Sequence, residues 1–172
     1  MTTEKLPEYW QRGPIDGIPG LLQPVAHTLL QARQEVEEVL TNFPAELLWQ
    51  KPNGLASVAF HIQHITGVIN RLFTYASGAM LNAQQLDYLQ QEGIASPDVT
   101  KQILLQNLHH QIQQAITVLS LTHENILTEK RLVGRKQIPS TVIGLFFHAA
   151  EHTMRHTGQV LVTAEFVKAI AV

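Results

Sequence analysis

Five of the nine histidines in this chain fall in two short segments. His61 and His64 stand three residues apart, and His148, His152 and His156 recur at intervals of four. Imidazole is the commonest protein ligand for transition metals and titrates near neutral pH, so the clusters point to metal binding. On a helix, residues four apart drift by only about 40° around the axis. His148, His152 and His156 therefore share one face, and Leu145, Ala149 and Val160 beside it predict that this face points into a protein core. Two imidazoles one turn apart can grip the same ion, whereas His148 and His156 are separated by about 12 Å along the axis. A single site uses either His148 with His152 or His152 with His156, and His61 or His64 can add a third donor. On wheel geometry alone His61 is slightly the more inward of that pair. Three histidines with an open position match a catalytic zinc-type centre, where bound water is acidified towards neutrality; a closed structural site needs a fourth protein ligand. A lone histidine on an apolar face is ordinarily a hydrogen-bonded core residue. Five on two inward faces each demand a buried partner, and a shared ion answers that demand.

Other histidine chemistries fail on spacing. A haemerythrin-like centre needs His-x-x-x-Glu, but Ile65 and Val68 stand four residues after His61 and His64. Di-iron carboxylate bundles need Glu-x-x-His from two helices, and Glu151 is followed three residues later by Met154. His148-x-x-Glu151-His152 fits the short inverted zincin pattern, with Glu151 as general base, but nothing else in the chain suggests a protease.

The elements that must carry these residues read as helices. Apolar residues Val25, Leu29, Ala32, Val36, Val39 and Leu40 recur at helical spacing and predict a helix over residues 21–42, with Pro24 in its first turn. Residues 57–76 form a second, with a narrow stripe of Val58, Ile62, Ile65, Ile69 and Leu72 and a stop at Gly78. A short helix is expected over 83–91, ended by Gly93. A third long helix runs from Asp98 or Thr100 as N-cap to about 121, and its glutamines (Gln102, Gln106, Gln111, Gln113, Gln114) read as a solvated face. After a polar connection over 123–137, Pro139 or Ser140 opens a fourth long helix reaching about 169. Residues 1–20, rich in Pro and Gly, are an irregular lead-in. No strand alternation stands out. The fold class is all-α: a four-helix bundle with an irregular N-terminal segment and a short extra helix, in one domain over residues 1–172.

Composition narrows the function. Charged residues are 15% and apolar residues 45% of the 172, as in a compact globule, and Lys+Arg 12 against Asp+Glu 14 leaves a net charge of -2. No basic stripe favours nucleic acid. Cysteine is absent, which removes disulfides, thiolate ligands and a Cys nucleophile and suits a reducing cytosol. The polar residues 1–12, with Glu4, Lys5 and Glu8, carry no secretory signal, and no apolar run approaches the roughly 18 residues of a membrane span. A cytoplasmic protein with no nucleic-acid or membrane partner is expected.

Two stretches resemble the DinB-like family of four-helix-bundle metal-dependent hydrolases. One runs from Gly54 through His61-Ile-Gln-His64-Ile-Thr-Gly67 to Arg71-Leu-Phe-Thr-Tyr75. The other runs from Pro139 through His148-Ala-Ala-Glu151-His152-Thr-Met-Arg155-His156 to Gly158-Gln159. The likeness extends from about residue 21 onward. In that family one ligand is a His followed by an aliphatic residue on the second helix, and two come from His-x-x-x-His before Gly-Gln on the last. Position by position, the resemblance implies His64, His152 and His156 as ligands. It leaves His61, His148, Glu151, Arg71, Tyr75 and Gln159 as candidates to orient a ligand or face a substrate.

The resemblance also implies a function. The family includes transferases that use bacillithiol or mycothiol and an isomerase acting on maleylpyruvate with mycothiol. One divalent metal ion, zinc or nickel foremost, with a low-molecular-weight thiol, acting on a small molecule, is the expectation; three imidazoles suit copper and iron as well. The contrasting reading is a non-enzymatic metal or small-ligand binding stress protein. Phe146, Phe147, Ile143 and Leu161 make the last helix apolar on nearly every side, so a metal-stabilised homodimer is also expected.

Overall fold

The computed structural model describes residues 6–171; residues 1–5 of the expected lead-in lie outside them. Four long helices form the bundle: α1 (Gln23–Thr41), α2 (Val58–Ala76), α4 (Lys101–Leu121) and α5 (Val142–Ile170), with the short α3 (Ala83–Gln91) between α2 and α4. Residues 6–22 lie against α1 through two short 3-10 turns, and the Tyr9 N–H donates to Gln31 Oε1 at 3.0 Å. α2 packs most extensively on α5, then α1 on α5 and α2 on α4. The interior is filled by the predicted stripes, and Leu29, Val36, Ile62, Ile65, Ile69, Leu108 and Ile112 are fully buried. Each such Leu or Ile contributes roughly 1.5–3 kcal/mol, which holds α1, α2 and α4 on a common core.

Local chemistry sets the helix ends. Ser57 Oγ accepts from Phe60 N at 3.2 Å to start α2, and Gly78, at φ 85, takes the left-handed conformation just beyond its end. Asn82 and Gln85 form a reciprocal capping box at α3. Thr100, one of the two predicted caps, opens α4 by accepting from Ile103 N. The glutamine-rich face of α4 is not uniformly solvated: Gln111 is buried and accepts from Asn70 Nδ2 at 3.0 Å.

Among the described residues, the polar connection contains the one departure from an all-helical reading. Lys130–Val133 (β1) pairs antiparallel with Ile138–Thr141 (β2), Lys130 opposite Thr141. These four-residue strands are largely exposed and one carries Pro139, so they have no alternating apolar face to betray them. The hairpin joins two helix ends: Arg131 Nε donates to Ala76 O at the end of α2 at 2.7 Å, and β2 passes directly into α5. Thr141, not Pro139 or Ser140, is the cap, its Oγ1 accepting from Gly144 N at 3.1 Å. Among the described residues no helix is long and apolar enough to cross a membrane.

Candidate metal centre

α2 and α5 bring four histidines together where they pack. His64 Nε2 lies 3.1 Å from His152 Nε2, and His156 Nε2 lies 3.1 Å from the same atom. One ligand atom from each of His64, His152 and His156 falls within 4.8 Å of the others. Zn–N bonds of about 2.0–2.1 Å at tetrahedral angles put neighbouring nitrogens roughly 3.3 Å apart, so the donors fit a divalent cation. Three nitrogen donors also leave a tetrahedral position open.

Each flanking histidine of the triad is held from behind, and the supports decide its tautomer. His64 Nδ1 lies 2.6 Å from Glu92 Oε2, while Glu92 Oε1 accepts from Arg71 Nη1 at 2.6 Å. The Glu92 side chain is 3% exposed, so both its oxygens are engaged away from water. His64 must donate its Nδ1–H, which leaves the Nε2 lone pair free for a metal. On the other side His61 Nδ1 lies 3.0 Å from His156 Nδ1. One of these nitrogens donates; a metal-binding His156 carries the proton on Nδ1, so His61 accepts and is protonated on Nε2. His61 is the most buried of the cluster, as the wheel suggests, yet its depth places it behind His156 rather than in the triad.

Burial pushes His61 and His156 down to about 4, with His64 adding to both shifts. His152 is also lowered, first by burial and then by the charges of His64 and His148. Neutral imidazoles are the form that ligates metal. Phe60 stacks on His64, ring centres 5.3 Å apart and planes at 13°, and closes one side of the cluster.

Glu92 was not foreseen from the sequence. It lies just past α3, and that turn is clamped to α2. The Gly93 N–H donates to Gln63 Oε1 at 2.9 Å, and Tyr88 Oη donates to Gln63 O at 3.2 Å. Burial, then Glu92, pushes the Tyr88 hydroxyl up to about 12, so it stays a neutral donor. Two glycines make the approach possible. Gly93 has φ +82 and packs against Phe60. A Cβ on Gly67 would fall 2.2 Å from Glu92 Oε1 and 2.5 Å from Arg71 Nη1. Gly67 is three residues after His64 and four before Arg71, on the helix face where the carboxylate sits.

The remaining candidates scatter. Arg71 is buried against Glu92. His148 faces solvent rather than the core, its Nδ1 2.6 Å from Glu151 Oε1, both side chains exposed. The 40° drift, summed over two steps from His156, carries it past the edge of the buried face. His148, Glu151 and His152 do have donor atoms within 4.8 Å of one another, but only His152 of them is partly buried. Tyr75 is buried in the core some 16 Å along α2 from His64, at 1.5 Å per residue. Gln159 is exposed.

The family model of the DinB superfamily matches residues 28–160, from α1 into α5 and across every residue of this centre. None of the curated proteins matches the chain.

Proposed function

The chain belongs to the DinB superfamily, and on that premise we propose that it is a metal-dependent enzyme acting on a small molecule, a hydrolase or thiol-dependent transferase whose one divalent cation sits on His64, His152 and His156. The observation that carries this reading is the convergence of the three Nε2 atoms, with two 3.1 Å separations. A cation there supplies Lewis acidity, lowering the pKa of a water or thiol that takes the open position. The chain's own residues aim the donors: Glu92 accepts a hydrogen bond from His64 Nδ1–H, and His61 accepts one from His156 Nδ1–H. Zinc or nickel suits the all-nitrogen set.

The protein side offers no obvious base. Glu92 spends both oxygens on Arg71 and His64, and Glu151 pairs with His148 at the surface. A nucleophile activated by the cation alone fits this better than one needing a protein base, which favours a low-molecular-weight thiol, whose ordinary pKa of about 8.5 lies far closer to neutrality than that of water. The same observation favours, as the alternative, a non-enzymatic metal-binding stress protein. A cytoplasmic location and a homodimer through exposed residues of α5 such as Phe147 and Val162 belong to the proposal.

The deciding assay strips the protein with chelator, restores zinc or nickel, and follows thiol consumption and hydrolysis across a panel of electrophiles and esters. Metal-dependent turnover that disappears in His152→Ala is the expected result. No metal-dependent turnover, in a protein that still binds the ion, would leave the binding-protein reading.

A further inference from the structure

A cavity of about 270 Å³ opens between α2, α3 and α4, lined among others by Thr66, Asn70, Arg71, Gln85, Tyr88 and Gln111; none of the three clustered histidines lines it. Its volume lies just under the roughly 300–1,000 Å³ of drug-sized pockets, which suits a small metabolite. The walls are polar, and their hydrogen bonds are lopsided. Asn70 Oδ1 accepts from Gln85 Nε2, Gln111 Oε1 accepts from Asn70 Nδ2, and Gln85 Oε1 accepts from Asn82 N. These three amide oxygens thus each have a donor already, and Gln84, at the exposed rim, has none among the described residues. The donors are only partly used. Arg71 has five N–H groups and, among the described residues, spends one on Glu92. Gln111 Nε2 donates to no described residue, although Gln111 is 9% exposed. A partly enclosed site where a guanidinium and a half-used amide bring spare donors together favours an acceptor-rich guest.

We propose that this cavity is a binding site for a small organic carboxylate, held by the free edge of the Arg71 guanidinium and by the Gln111 amide. A carboxylate matches a guanidinium edge with two parallel hydrogen bonds. Glu92 occupies the other side of Arg71, so a monoanion leaves a carboxylate–guanidinium–carboxylate row with one net negative charge. A phosphate dianion adds a second charge beside the buried Glu92 and is disfavoured. A neutral amide of the same shape lacks the charge and one acceptor. The site neighbours the metal centre without sharing its ligands, so binding of the carboxylate does not require the metal.

The test uses the full chain, chelator-treated so that no carboxylate can report through an ion, then repeated with zinc. Lactate, succinate and glutamate are titrated alongside lactamide and inorganic phosphate, following the Arg71 Nε–H and the Gln111 and Asn70 side-chain amides by ¹⁵N NMR. Saturable shifts at these three side chains with at least one carboxylate are expected, with lactamide and phosphate at least tenfold weaker than that carboxylate. Affinity is expected to fall at least tenfold in both Arg71→Lys and Gln111→Leu; if the first does not fold, the second decides. No saturable shift with any of the carboxylates, lactamide or phosphate binding within twofold of the best one, or an unchanged Kd in either folded variant overturns the proposal. Zinc binding to the same samples is scored separately. Its absence in the wild-type chain contradicts the metal-centre reading and leaves the carboxylate site standing, and the converse also holds.

Discussion

Glu92 Oε2 lies 2.6 Å from His64 Nδ1, and the same carboxylate reaches Arg71 with its other oxygen. One side chain thus fixes the tautomer of a candidate ligand and neutralises a buried guanidinium. Replacing it separates the two tasks. Glu92→Gln keeps the shape and an acceptor for only one partner, and it is expected to weaken zinc binding about 10–100-fold, read by competition with a chromogenic chelator. Glu92→Ala also leaves Arg71 buried without its partner, and a loss of about 3–5 kcal/mol in denaturant unfolding is expected.

Gly67→Ala tests the same contact without replacing a charged group or a candidate ligand. The new Cβ would come 2.2 Å from Glu92 Oε1, so the carboxylate must shift away from α2. Zinc affinity is expected to fall by roughly the factor seen for Glu92→Gln, since both act through the support of His64. Unchanged affinity in both variants would mean that Glu92 does not orient the ligand.

His61→Leu removes the acceptor behind His156 and nothing from the triad. One equivalent of zinc is still expected at saturation, with an affinity about 10–100-fold lower. His148→Ala, at the exposed end of the histidine row, is expected to leave both stoichiometry and affinity unchanged. A loss of the ion in His148→Ala would move the site to His148, Glu151 and His152.

In the metal-free protein, acid should act through the buried imidazoles. His61 and His156 are lowered to about 4 in the fold against about 6.5 in the unfolded chain. Between those values the unfolded chain binds more protons, so stability is full above pH 6.5 and falls as pH drops towards 4. His61, nearly inaccessible, alone accounts for a loss on the order of 3 kcal/mol. Urea unfolding at pH 7, 5.5 and 4.5 measures it, and His61→Leu should flatten part of the slope.

Much of this architecture could be read from residue order. Helical stripes, Ser57, Thr100 and the glycines after α2 and α3 mark their elements because each acts within a turn of its own position. The His152–His156 pair is legible for the same reason, being one helical turn. Contacts made across the fold were not. Glu92 reaches His64 through a turn clamped by Gln63, and no local pattern in an isolated Glu-Gly pair announces that. The hairpin over Lys130–Thr141 escaped because its strands are short, exposed and interrupted by proline. His148 looked inward because helix phase was taken from its neighbours rather than from the packing of α2 on α5. The buried Gln111 hid among exposed glutamines for want of any sign of Asn70 opposite it.

The most direct test of the metal centre is elemental analysis of purified protein after zinc loading and desalting, comparing wild type with His64→Ala, His152→Ala, His156→Ala and the control His148→Ala. About one zinc per chain is predicted for wild type and His148→Ala, and less than about a tenth of that for the three triad variants. Equal metal content in all five proteins would contradict the proposed ligand set.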